Sequence, residues 1–124
     1  MPSDDGGKAR EVVNLVVSQV NTCACCLAAH TVIGGMVGFK PEQILEFRGG
    51  RASFDARLDA LAKVTKDITV NPGHGDQTLV DAFFAAGWTV ENLVDVIVTI
   101  GDRTVTNLLH GTTNCRSTSP QHRH

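Results

Sequence analysis

Three cysteines and a histidine fall within one short run, C-A-C-C-L-A-A-H, from Cys23 to His30. Cys23 and Cys26 form a C-x-x-C pair, and His30 follows Cys26 after three residues. With the chain helical from about Thr22 onward, offsets of three and seven residues place Cys23, Cys26 and His30 within about 60° of one another on one helix face. That stripe puts an imidazole one turn from a thiol, the arrangement that makes a thiolate available as a nucleophile. On the same wheel Cys25 lies roughly 160° from Cys23. This reading makes Cys25 a bystander and Cys23 with Cys26 the reactive pair.

The elements on either side must hold this stripe. The run from Glu11 to Val20 carries Val12, Val13, Val16, Val17 and Val20, the recurrence of an amphipathic helix. Asn21 and Thr22 favour a turn, because their side chains bond nearby backbone amides. A reversal there lays the two helices antiparallel and brings Glu11 level with about Thr31, within about one turn of His30. Glu11, His30 and Cys26 then line up as a proton relay.

The remaining chain reads as helices throughout. The first spans about Lys8 to Val20, and the second about Cys23 to Val37 with Gly38 as its stop. A third covers Pro41 to Phe47, ended by Gly49-Gly50. Ser53 is the expected N-cap of a fourth, whose apolar face is Phe54, Leu58, Leu61, Ala62 and Val64. A loop at Asn71-Pro72-Gly73-His74-Gly75 precedes a fifth helix from about Asp76 to Ala86. Thr89 caps a last helix that is apolar on more than one face, as expected of a helix buried centrally or in a subunit interface. Residues 1–7 and about 112–124 read as loose tails. His74, His110, His122 and His124 read as loop, helix-end and tail residues, and Cys115 as a thiol of no fixed role.

At Glu11, Cys23, Cys26 and His30 the sequence resembles the alkyl hydroperoxidase D-like fold of the carboxymuconolactone decarboxylase superfamily. Its peroxidase branch carries a glutamate, C-x-x-C twelve residues later, and a histidine after three more. The similarity continues through the connector Gly38-Phe39-Lys40-Pro41-Glu42-Gln43-Ile44 and the run from Ala86 to Asn107. Asn107 and His110 resemble a pair near the end of the last helix in relatives, at a spacing off by one. Cys25 stands where relatives often have histidine or tyrosine.

The resemblance implies an all-α single domain of about six helices spanning 1–124, assembling as a homotrimer or homohexamer. It also implies a thiol-dependent peroxidase. Glu11 orients His30, His30 takes the proton of Cys26, Cys26 attacks a hydroperoxide, and Cys23 closes a Cys23–Cys26 disulfide. The partners so implied are a hydroperoxide substrate and a dithiol reductant, in relatives a lipoylated protein or another dithiol carrier. Neither metal nor organic cofactor is expected. The alternatives are a decarboxylase acting on a carboxylated lactone, and a non-enzymatic helical oligomer that senses redox state. For the cysteine pair itself, two small buried hydrophobes or a zinc site are the competing readings.

Composition narrows the classes. The 124 residues carry a net charge of -2 and 42% hydrophobic residues. With no basic cluster and few aromatics, nucleic acid and anionic membrane are not expected partners. No apolar run reaches the ~18 residues of a spanning helix, and the acidic start MPSDDGGKAR lacks a signal-peptide core. The expectation is a soluble cytoplasmic protein, in which four cysteines serve redox or metal chemistry.

Overall fold

The computed structural model describes residues 6–114. Cys115, His122 and His124 lie outside the described residues. Six helices follow in order: α1 Gly6–Val20, α2 Ala24–Met36, α3 Pro41–Arg48, α4 Ala56–Val70, α5 Gln77–Ala85 and α6 Val90–Thr113, with no strand among the described residues. The expectation of an all-α domain of about six helices holds. Gly6 and Gly7 at one end, and Thr112 and Thr113 at the other, are helical where loose tails were expected. Among the described residues no helix is long and apolar enough to cross a membrane.

The first helix is the centre of the molecule. It packs against α2, α3, α4 and α6, and Ala9, Val12, Val13, Leu15, Val16 and Val17 are all fully buried. Its polar positions are buried too: Glu11, Asn14 and Ser18, at offsets of three and seven, form a stripe that faces other helices and not solvent. Burying such groups is costly unless they bond one another. The partners come from α2 and α6, as described below.

Helix ends follow local chemistry. Gly38 adopts φ +108°, a left-handed conformation open to glycine, and ends α2 as Phe39 N–H reaches back to the Gly34 carbonyl. Gly34 has the second role open to a glycine, close approach. A Cβ there would lie 3.2 Å from Ile44 Cδ1 of α3, so α3 sits tightly against α2. The N-cap of α4 is Asp55, whose carboxylate accepts the Leu58 amide, and not Ser53. The Ser53 amide donates instead to Glu46, which holds the α3–α4 connection in place and leaves Phe54 outside the helix. At α6 the Thr89 cap is as expected, completed by Asn92 in a reciprocal capping box.

Phe47 fastens α3 to this core. It is fully buried and meets Phe39 and Phe54 edge-on, with ring centroids 4.7 and 5.4 Å away. Phe47→Ala is expected to cost about 3–5 kcal/mol. A urea melt should show the midpoint falling with little change in slope. A loss below ~1 kcal/mol would mean that the core closes over the gap.

Candidate active site

The α1–α2 turn sets the geometry. Asn21 N–H and Cys23 N–H bond the carbonyls of Val17 and Ser18, and Thr22 takes φ +52°. A left-handed threonine is a strained position for a β-branched residue. The turn is clamped from α6: Asn21 Nδ2 donates to Asn107 Oδ1 at 3.0 Å, and Asn107 Nδ2 donates to Ser18 Oγ at 3.2 Å. Asn107 is therefore a buried strut. His110, its neighbour on the next turn, has a buried Nδ1 without a hydrogen-bond partner among the described residues.

The reversal delivers Glu11 to His30 directly. His30 Nδ1 lies 2.6 Å from Glu11 Oε1, and both residues are buried. The second carboxylate oxygen is also used, accepting Asn14 Nδ2 at 2.9 Å. Asn14 Oδ1 in turn accepts Arg103 Nε at 3.1 Å. Arginine has only donors, so it fixes which end of the Asn14 amide faces Glu11. The chain Arg103–Asn14–Glu11–His30 thus runs from α6 through α1 to α2, each donor matched to an acceptor.

Cys23 and Cys26 are joined by a disulfide, with Cα atoms 5.2 Å apart. Both are buried. Cys26 sits in the first turn of α2, one turn before His30. Cys23 is the N-cap, extended at φ -89°, ψ 95°, and supplies no side-chain cap. The first amides of α2 have no carbonyl partner within the helix, a setting that favours negative charge on a nearby sulfur.

Cys25 is not the bystander that a helical wheel makes it. The sulfurs of Cys23, Cys25 and Cys26 all lie within 4.8 Å of one another. The wheel failed because Cys23 is not helical. Its extended backbone swings its side chain out of the α2 periodicity and towards Cys25. His74 is exposed in the α4–α5 loop and far from any role suggested by spacing.

The four expected residues thus meet in two pairs, Glu11–His30 and Cys23–Cys26, joined along α2 by the single turn from Cys26 to His30. Residues 6–67 match the model of the carboxymuconolactone decarboxylase family, half of the chain. The chain belongs to that family. No curated protein matches it. The family match holds Glu11, Asn14, the three clustered cysteines and His30; Arg103 and Asn107 come from α6, beyond it.

Sequence reading missed Asn14 and Arg103. The signals were present: Asn14 is one turn from Glu11 on an otherwise valine-rich helix, and Arg103 is the one arginine in α6. Arg103→Ala should leave the helices folded and lower any His30-dependent turnover about tenfold, since it frees Asn14 to rotate without removing the carboxylate. The pH profile distinguishes this positioning role from a purely structural one: the variant should shift the profile as well as the rate.

Proposed function

We propose that this protein is a cysteine-based peroxidase of the alkyl hydroperoxidase type. The observation that carries the reading is the placement of a C-x-x-C disulfide one turn from a histidine that is bonded to a buried glutamate. Glu11 holds Nδ1 of His30, which leaves Nε2 as the nitrogen that takes a proton. In the reduced protein Nε2 accepts the Cys26 thiol proton, directly or through a water. The thiolate attacks the outer oxygen of a hydroperoxide, the O–O bond breaks, and an alcohol leaves with a proton as Cys26 becomes a sulfenic acid. The Cys23 thiol then displaces water from that sulfenic acid and forms the disulfide. A dithiol reductant, such as a lipoylated protein, returns the pair to thiols by exchange and is itself oxidised.

Assembly belongs to the same proposal. Val90, Val94, Val98, Val105, Leu108 and Leu109 of α6 are exposed, as are Val32 and Met36 of α2. An apolar surface of this extent is typical of one covered by a partner. A homotrimer or homohexamer would cover it, and light scattering on the purified chain would distinguish the two from a monomer.

The testing experiment is intact mass after a small excess of organic hydroperoxide is added to reduced protein. The expected product has lost two hydrogens and gained no oxygen, and it forms much faster than free cysteine reacts. Oxidation at the rate of free cysteine would end the peroxidase reading. A lactone decarboxylase or a redox-responsive oligomer would then take its place.

A further inference from the structure

We propose that the outer face of α6 is a two-fold contact between copies of this chain, in which two α6 helices lie antiparallel and cross at Gly101. The exposed positions of α6 are arranged symmetrically about that glycine. Steps of four, three and four residues lead back from Gly101 through Ile97 and Val94 to Val90, and the same steps lead forward through Val105 and Leu108 to Thr112. Each of these positions is exposed. A two-fold contact brings residue i of one copy to residue j of the other, and j to i. An antiparallel pair centred on Gly101 therefore sets Val90 against Thr112, Val94 against Leu108 and Ile97 against Val105. Val98 and Leu109 widen the same face, eleven residues apart like Ile97 and Leu108. An 11-residue repeat keeps one stripe turned to a partner along the whole helix.

Gly101 marks the crossing. Glycine weakens a helix interior, and the chain's own packing does not require one here, since a Cβ would meet nothing within 4 Å. Between two helices the missing side chain lets the backbones approach closely.

Area and charge select a second copy as the occupant. The Val, Ile and Leu residues of this face are 49–66% exposed. Together they present roughly 700 Å² of apolar surface, close to the ~800 Å² that each partner contributes to a standard stable interface. Glu91, Asp95 and Asp102 stand in the first half of α6, and no acid follows Asp102 in the helix. Parallel pairing would set these acids against their own copies. Antiparallel pairing sets Glu91 level with Gly111 and gives each acidic half an acid-free one. The inference rests on the assembly proposed above and narrows it, because a closed trimer has no two-fold axis whereas a dimer, or a hexamer built from two trimers, does.

The test uses oxidised full-length protein carrying Val94→Cys and Leu108→Cys. These positions are about 21 Å apart along one helix, beyond the reach of a short bismaleimide, so a bridge from 94 to 108 joins two copies. Peptide masses should show that bridge. Light scattering is run alongside on the unsubstituted chain and on Gly101→Glu. The new side chain meets nothing in its own protomer, so Gly101→Glu should keep its helical circular dichroism. It nonetheless places two carboxylates face to face on the two-fold axis and should weaken association on the order of 100-fold. The expected result is a dimer or hexamer with 94-to-108 bridges. Bridges from 94 to 94 and 108 to 108, an assembled chain without bridges between copies, an assembly that Gly101→Glu leaves intact, or a trimer would overturn the α6 pairing and leave the assembly itself standing. A monomeric unsubstituted chain would overturn both.

Discussion

Serine in place of Cys26 should abolish hydroperoxide consumption, leaving the rate of buffer alone, whereas serine in place of Cys23 should leave the first turnover intact. Burial does not separate the two residues, which are both 5% exposed. Position relative to the base does. Cys26 is one helical turn before His30, while Cys23 is the extended N-cap. A serine hydroxyl at position 26 keeps the shape of the site but supplies no thiolate, the species that attacks. At position 23 the loss falls on the second step, so oxidised protein should accumulate as a Cys26 sulfenic acid. The measurement is best made with Cys25→Ser present in both variants, because a third sulfur lies within 4.8 Å of the pair and its removal confines the chemistry to the two positions compared. Residual hydroperoxide and a dimedone adduct at Cys26 are the readouts. The opposite partition, with Cys23→Ser inert and Cys26→Ser reactive, would make Cys23 the attacking sulfur and the helix terminus its activator.

How far the sequence was legible follows from which interactions are local. The helices and most of their ends were readable because a cap or a stopping glycine needs only a few neighbouring residues, as at Thr89 and Gly38. Asp55 was passed over for Ser53 because the choice depends on Glu46, seven residues before Ser53, which draws the Ser53 amide into the α3–α4 connection. The Glu11–His30 pairing was readable because a tight turn makes the register between two helices nearly local. The central burial of α1 was not. Its spacing predicts one apolar face and one solvated face, and its polar stripe is instead satisfied by residues contributed from elsewhere, His30 on α2 and Arg103 and Asn107 on α6. Conversely, the apolar excess of α6 was visible, yet much of it faces outward. Composition alone does not separate a helix buried in its own core from one awaiting a partner.

The buried relay leads to the second large effect. Glu11→Gln should lower hydroperoxide turnover by about 10²- to 10⁴-fold, the range for loss of general acid–base catalysis, while the fold and the ability to form the disulfide persist. The reason lies in hydrogen-bond polarity more than in charge. Arg103 fixes the Asn14 amide so that its NH2 faces the side chain at position 11. A glutamine there must offer its oxygen to Asn14 and turn its own NH2 towards His30 Nδ1. Nδ1 then becomes an acceptor, the ring proton moves to Nε2, and the nitrogen needed to receive the thiol proton is occupied. This account makes a further demand on the double variant. Arg103→Ala releases Asn14 to flip, which lets the introduced glutamine present its oxygen to His30 and restores the working tautomer. Glu11→Gln with Arg103→Ala should therefore be more active than Glu11→Gln alone, although Arg103→Ala by itself slows turnover. A double-mutant cycle on turnover measures that coupling. Strictly additive losses would mean that Glu11 acts through its charge, with Asn14 and Arg103 serving only to fill the space between α1 and α6.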